Sequence, residues 1–94
     1  MEILTLNDGT VIRNADTILA VVGLWIHIRS GLTLFEAFSI FSDTGKTSRI
    51  VSNKVEPHKP DDPITYEGYT NLFSIKAEDD GTIVVGLKAG ETDA

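Results

Sequence analysis

Alternating apolar and polar positions run through most of the chain, and this pattern favours β-strands over helices. A period of two is typical of a strand with one buried face. The turn sequences NDG at 7–9 and EDDG at 78–81 separate such runs, and Asp-Gly between two β-rich runs is a strong hairpin signal. The pattern predicts strands near 2–6, 10–14, 47–55, 64–67, 70–77 and 82–88, of which 47–55 is expected to be half-exposed or an edge strand.

The run from Thr17 to Arg29 is apolar on both of its alternating faces. Such a run is typical of a central strand that is covered on both sides. Gly23 interrupts it, and a glycine within a strand often marks a bulge or a bend. Two interpretations therefore stay open: one long strand, or two strands that meet near Val22 and Gly23.

One segment, LTLFEAFSIF, follows a helical period instead. Thr33 and Glu36 have the T-x-x-E spacing of a capping box, in which each side chain accepts a hydrogen bond from the other residue's amide. Apolar residues then recur at helical spacing, at Leu34, Ala37, Phe38 and Phe41. This apolar face predicts one short helix over about 34–42.

The predicted elements do not alternate as strand and helix, so a doubly wound parallel sheet is not expected. We predict an α+β fold: a mostly antiparallel sheet of about six or seven strands, which could curl toward a barrel, with one short helix packed on it. The chain has 94 residues, which fits a single domain over 1–90. Residues 91–94 are expected to form a frayed tail, and 56–63, which holds all three prolines, is expected to be a loop.

The stretch FSDTGKTS, from Phe41 to Ser48, contains fragments of two catalytic motifs. The first is the GKT that ends a nucleotide-binding P-loop. A P-loop needs a further glycine where Ile40 stands, and it needs a strand before it and a helix after it. The predicted order here is the reverse, so a P-loop is not expected.

The second fragment is DTG, the catalytic turn of aspartic proteases. A retroviral-type enzyme would pair Asp43 with its counterpart in a second copy, within a buried turn. Ser42 and Lys46 stand where that turn needs an apolar and a small neighbour. We interpret the stretch as the end of the helix, with Gly45 in the left-handed conformation; a homodimeric protease using Asp43 is a remote alternative.

Charge and composition narrow the range of partners. The formal net charge is −6 and the pI is about 4.6, so phosphate backbones and anionic lipid would repel the chain. Neither nucleic acid nor a membrane is therefore expected as a partner. There is no cysteine, which excludes disulfides and thiolate chemistry. No signal peptide is visible at the start, and a cytoplasmic location is expected.

No group of residues has the spacing of a catalytic or metal site. His27 and His58 stand alone, and the pairs Asp61-Asp62 and Asp79-Asp80 are more typical of solubilising loops than of a calcium site. We therefore predict no enzyme, no cofactor and no metal.

Aromatic residues are the better candidates for contact with a partner. Tyr66 and Tyr69 flank Gly68 beside the proline-rich loop, and tyrosine is favoured at protein interfaces. Trp25 and His58 complete the set of interaction candidates, although core packing is the commoner role for such a tryptophan.

Several segments resemble small uncharacterised proteins from the structural-gene modules of phages and prophages of Gram-positive bacteria. They are LNDGTVI, TLFEAFSIF, the D-x-x-K-T step from Asp43 to Thr47, YEGYTNLFSI and VGLK. The resemblance covers about Leu4 to Lys88 and implies a virion or assembly component, without catalytic residues to carry over. The expected function is a non-enzymatic structural or protein-interaction protein, with self-association through sheet edges. A small peptide- or ligand-binding module is the alternative.

Overall fold

The computed structural model describes residues 2–54 and 63–90, which form one antiparallel sheet of seven strands and two short helices. The strands are β1 (Glu2–Leu6), β2 (Val11–Ala20), β3 (Gly23–Ile28), β4 (Arg49–Lys54), β5 (Ile64–Glu67), β6 (Asn71–Ala77) and β7 (Ile83–Lys88), and the helices are α1 (Leu34–Phe41) and α2 (Thr44–Thr47). The order across the sheet is β5-β4-β1-β2-β3-β7-β6. The predicted α+β class is confirmed.

The sheet is strongly curved, because its two edge strands, β5 and β6, are joined by residues 68–70 alone. Successive Cα atoms are 3.8 Å apart, so such a link spans at most about 15 Å and the edges must converge there. Gly68 lies at this point: its amide donates to the Ser48 carbonyl (3.0 Å) and its carbonyl accepts from the Gly90 amide (2.6 Å). Among the described residues no ladder pairs β5 with β6, so the sheet is not closed into a barrel.

The hydrophobic core fills the inner face of this curved sheet. Alternate side chains of the central strands point inward and are buried, as the period of two requires. The most deeply buried are Leu4, Leu24, Ile26, Ile28, Ile50, Val85 and Leu87, together with Phe41 from α1. Each such side chain contributes roughly 1.5–3 kcal/mol by leaving water, so this interior is the main source of stability.

The run from residue 17 to 29 forms parts of two strands. β2 continues to Ala20, and the turn at Val21 and Val22 separates it from β3. The two-strand interpretation is therefore correct. The expectation of cover on both sides is wrong for the start of the run, because Ile18 and Leu19 are 54% and 57% exposed.

Strand β4 is half-exposed, as predicted, but it is not at an edge. It lies between β5 and β1. Ile50 and Ser52 face the interior while Arg49 and Asn53 are exposed. The alternation of apolar and polar residues in β4 therefore distinguishes the two faces of the sheet, but it does not indicate whether the strand is central or at an edge.

Helix α1 begins as predicted but buries a different face. The capping box is present: Thr33 and Glu36 exchange amide-to-side-chain bonds of 3.1 Å in each direction. Ala37 and Phe41 are buried, whereas Leu34 and Phe38 stay 43% and 51% exposed. The helix is rotated so that residue 40, on the other side of Ala37, packs against the core instead.

The prediction that the helix ends within FSDTGKTS is confirmed, because α1 ends at Phe41 with Ser42 as its C-cap, but the prediction of a left-handed Gly45 is wrong. Gly45 lies inside α2 and has no positive φ. Asp43 begins α2 as its N-cap, and its Oδ1 accepts from the Gly45 amide at 2.9 Å. Lys46 forms an ion pair with Asp8 in the β1–β2 turn, so this segment joins the helical part of the molecule to the sheet.

Candidate functional site at the end of the second hairpin

Three hairpin turns lie within the described residues, and one of them is apolar. The turns at 7–9 and 78–81 consist of Asn, Asp, Glu and Gly, which turn geometry favours. The turn between β2 and β3 consists of Val21 and Val22. Neither valine has a positive φ, so the backbone tolerates valine at both positions, but it does not require an apolar side chain there.

Apolar side chains around this turn are exposed on both faces of the hairpin. Val21 is fully exposed, Val22 is 57% exposed, and Ile18 and Leu19 are exposed to a similar extent. We call residues 18–22 the hairpin end. Contiguous apolar surface of this kind marks interaction sites in folded proteins.

The register of the hairpin assigns these side chains to faces. Leu19 pairs with Leu24, whose side chain is buried on the inner face, and Ile18 pairs with Trp25 on the outer face. Because successive side chains alternate, the hairpin end presents apolar groups on both sides. A partner that contacts it can therefore enclose the strand from both faces.

The hairpin end is also free of charge in an acidic molecule. Residues 17–26 contain no Asp, Glu, Lys or Arg, whereas the whole chain carries −6. The hairpin's opposite end carries an ion pair, in which Arg29 Nε lies 2.9 Å from Asp16 Oδ2. Contact at residues 18–22 would therefore bury little charge, which keeps its desolvation cost low.

Two aromatic rings extend this apolar surface along the outer face. Trp25 and Phe73 meet edge to face with ring centroids 5.1 Å apart. They cross over Gly86, where a Cβ atom would lie 2.8 Å from each ring. Lys88 Nζ lies 4.9 Å from the centre of the Phe73 ring. Trp25 lies opposite Ile18 in the ladder between β2 and β3, so its indole ring is next to the hairpin end.

A buried carboxylate supports the base of the hairpin on the inner face. Glu2 is 7% exposed and accepts hydrogen bonds from the Thr17 amide (2.7 Å), the Thr17 hydroxyl (2.6 Å) and the Ser52 hydroxyl. Burial raises the pKa of Glu2, but the hydrogen bonds from Ser52 and Thr17 outweigh it and leave the pKa below its usual value. A carboxylate held ionised by three donors is suited to a structural role.

The tyrosines predicted as contact residues lie at this base. Tyr66 is 8% exposed, and its hydroxyl is 3.2 Å from the Thr17 hydroxyl. Tyr69 is partly buried, with its ring 6.2 Å from that of Tyr66. Trp25 lies beside the hairpin end, and His58 is outside the described residues. The structure thus brings Trp25 to the candidate surface and places Tyr66 inside the molecule.

Sequence reasoning did not identify the hairpin end as a site. The run of apolar residues predicts a strand covered on both faces, and Gly23 is the one sign that two strands could meet there. An apolar turn lacks the polar residues by which turns are recognised, so the exposure of Val21 and Val22 became visible only in three dimensions.

The other candidates for chemistry are engaged locally. Asp43 caps α2 and is exposed. Asp80 accepts from the Thr82 amide at 2.9 Å, which holds the β6–β7 turn. Within residues 2–54 and 63–90, no three His, Cys, Asp or Glu side chains form a group that could hold a metal ion. Asp61 and Asp62 lie outside that part of the chain.

A shallow groove of about 290 Å³ lies at the opposite end of β2. The apolar residues Val11, Leu32 and Ile40 line it together with the polar residues Arg13, Asn14 and Ser30. Neither helix in the described part of the chain has the length and apolar character needed to cross a membrane.

Comparisons with protein families, with curated proteins and with solved structures each find no match for this chain. Its function is therefore inferred from the geometry of its own residues.

Proposed function

We propose that this protein is a non-enzymatic interaction component that binds another protein through the hairpin end. The observation that carries the proposal is the exposed Val21–Val22 turn, which continues into Ile18 and Leu19. Each Å² of apolar surface that stays in contact with water costs about 25 cal/mol of free energy relative to the same surface when buried. A partner that covers these four side chains would recover that free energy.

The chemistry of the surface favours a protein as the partner. Protein interfaces have cores that are depleted of charge and enriched in aromatic side chains. The hairpin end has no charge and continues into Trp25 and Phe73. With a net charge of −6, the chain would be repelled by nucleic acid and by anionic lipid.

The roles of the acidic groups support a function without catalysis. Glu2 is held as a carboxylate by Ser52 and Thr17, and Asp43 caps a helix. A general acid or base needs a pKa moved toward neutrality, whereas the pKa of Glu2 is moved the other way.

The resemblance to proteins of phage and prophage structural modules supports a place as a virion or assembly component. Such a component would be found in the cytoplasm during assembly or in the virion afterwards. The products of the neighbouring genes are the natural partners to test.

Replacing the apolar turn tests the proposal without weakening the hairpin. Neither Val21 nor Val22 has a positive φ, and asparagine and serine are common turn residues, so Val21→Asn/Val22→Ser removes the apolar tip while the strands stay paired. The two chains are each mixed with the neighbouring gene products and with themselves, and complexes are measured by size exclusion with light scattering. We expect the wild-type chain to form a defined complex and the double variant to lose it.

The control changes the polar turn at its exposed residue 79, with Asp79→Asn, and should leave the complex intact. The proposal fails if the wild-type chain forms no complex with itself or with any neighbouring product. It also fails if the valine variant binds as well as the wild type.

The groove at the start of β2 favours a second candidate, a small peptide- or ligand-binding module. Its 290 Å³ is near the lower limit of ligand pockets. A fragment screen by NMR distinguishes the two: shifts around Asn14 and Ile40 would favour the module, and an empty groove would exclude it.

A further inference from the structure

We infer that the hairpin end binds a second copy of the same chain, by antiparallel pairing of the open edge of β2 around a two-fold axis at Leu19. This inference rests on the proposed function, since it names the partner of that same surface. It adds a register, which makes it more specific than the proposal of protein binding.

The first observation is an unpaired stretch of sheet edge. β1 accompanies β2 only as far as the Glu2–Ala15 pair, so no described strand lies beside Thr17 to Ala20 on that side. The Thr17 amide points to that side, because it donates to the Glu2 carboxylate at 2.7 Å. Backbone groups two residues apart point the same way, so the amide and carbonyl of Leu19 face the open edge.

The second observation is that this edge is complementary to itself. With Leu19 opposite Leu19 of the partner subunit, the two residues exchange two backbone hydrogen bonds, as opposite residues do in an antiparallel ladder. Ile18 then lies opposite Ala20 of the partner subunit, a large side chain beside a small one. A two-fold contact of this kind closes on itself and gives a dimer.

The third observation is the contrast with the other two open edges of the sheet. Natural edges are protected by charged side chains, bulges or proline. β5 carries Glu67, and β6 carries Lys76 and an irregular register between Leu72 and Ser74. On the edge of β2 the Glu2 carboxylate protects only Thr17, and the edge from residue 18 to 21 has no charged side chain, bulge or proline.

Charge favours this edge as the place where a second copy binds. Two chains of −6 each repel one another over most of their surfaces. Residues 17–26 carry no charge, so two copies that meet there keep their acidic groups apart.

Introducing opposite charges at residue 19 in two separate variants tests both the identity of the partner and the register of the pairing. Leu19 is 57% exposed, so Leu19→Lys and Leu19→Glu should fold as monomers, and circular dichroism checks this. By sedimentation, the wild type should approach twice its 10.2 kDa mass as concentration rises. Each variant alone should dissociate at least tenfold more readily, because like charges then face each other across the axis. An equimolar mixture should restore the dimer.

Cross-linking gives a second readout. Leu19→Cys should form a disulfide-linked dimer on mild oxidation, because opposed residues in a ladder lie about 5.5 Å apart, within disulfide range. Asp79→Cys, at another exposed turn, is the matched control, and the natural chain has no cysteine to interfere. Cross-linking at residue 19 should exceed the control at least tenfold.

Three results would overturn the inference. They are a wild-type chain that stays monomeric at its highest soluble concentration, a dimer that persists in both charge variants, and a mixture that does not reassociate. If the wild-type chain is monomeric but binds a neighbouring gene product through Val21 and Val22, the inference fails and the proposed function stands.

Discussion

Thr17 donates two hydrogen bonds to the carboxylate of Glu2, from its amide at 2.7 Å and from its hydroxyl at 2.6 Å. The carboxylate thus occupies the position beside β2 where a further residue of β1 would otherwise continue the ladder. The Glu2 side chain ends one ladder and satisfies the first amide of the open edge. Beyond it, no described strand lies beside Leu19 on this side of β2.

Removing this carboxylate should destabilise the protein measurably. In Glu2→Ala the part-buried Thr17 amide and the Ser52 hydroxyl lose their acceptor, at an expected cost of about 2–3 kcal/mol. In Glu2→Gln the amide oxygen can still accept from Thr17 while its NH₂ group donates to Ser52, so the cost should be about 1 kcal/mol.

Urea unfolding at pH 7 measures both costs. Glu67→Ala, at an exposed position on β5, is the control and should change the free energy of unfolding by less than about 0.5 kcal/mol. If Glu2→Ala costs no more than this control, then the network does not hold the base of the hairpin.

The free energy of unfolding should decrease as the pH is lowered, and part of this decrease should be caused by protonation of Glu2. The pKa of Glu2 in the folded protein lies below its usual value of 4.5. A carboxyl with a lowered pKa stabilises the fold above the unfolded pKa, and that contribution is lost as pH falls through the folded pKa. The pKa of Asp8 is lowered by Lys46, and that of Asp80 by the Thr82 amide, so they act in the same direction.

The comparison with Glu2→Gln isolates the contribution of residue 2, because glutamine does not titrate. The difference in unfolding free energy between wild type and variant should be largest above pH 5 and should shrink toward pH 3. A difference that stays constant over this range would show that the Glu2 pKa is the same in the folded and unfolded states.

The features that sequence reasoning predicted are those determined within a few residues. The Asp-Gly turns need only backbone tolerance of positive φ, and Gly9 and Gly81 have φ of 92° and 90°. The capping box of Thr33 and Glu36 spans one helical turn. Such features fold the same way in many surroundings, and the strand period alone gave the class of the fold.

The features that the sequence did not predict depend on contacts between residues that lie far apart along the chain. Glu2 meets Thr17 and Ser52 across 15 and 50 positions of the chain, and nothing in the sequence around residue 2 indicates this. The role of Gly45 depends on Asp43, whose capping of α2 competes with a left-handed stop. Exposure of the hairpin end depends on the register of β1 against β2, in which Glu2 lies opposite Ala15, and strand periodicity does not determine this register.

Adding a methyl group at Gly86 should disturb the aromatic pair on the outer face. The new Cβ would lie 2.8 Å from both the Phe73 and Trp25 rings, which is closer than non-bonded carbons approach. We expect Gly86→Ala to cost about 1–3 kcal/mol, as overpacking does. The fluorescence of Trp25, the only tryptophan, should change with it.

A double-mutant cycle assigns this cost to the rings. In a Phe73→Leu background the added methyl group has more room, so the cost of Gly86→Ala should fall by at least 0.5 kcal/mol, a usual coupling for residues in contact. Lys76→Ala, on the same face of β6, controls for general effects. Equal costs in the two backgrounds would mean that the clash is relieved by backbone movement instead.

Asn14 occupies the bulge that lets β2 bend, and its backbone conformation should decide which residues are tolerated there. The register shows two residues of β2, Arg13 and Asn14, opposite Ile3 alone, and Asn14 has a φ of 57°. The left-handed region costs most residues about 1–2 kcal/mol, and a β-branched side chain is a genuine outlier there. Asn14→Val should therefore destabilise the protein by about 2 kcal/mol or more, as measured by urea unfolding.

Two comparisons separate backbone strain from lost hydrogen bonding. Asn14→Gly also loses the 3.0 Å bond from the Asn14 amide to the Ser30 hydroxyl, but it accepts positive φ freely, so it should cost less than about 1 kcal/mol. Arg13→Val places the same valine on the adjacent bulge residue, which has no positive φ, and should be nearly neutral. If valine costs the same at both positions, the bulge can move along the strand. The bend that curves the sheet would then not depend on the residue at position 14.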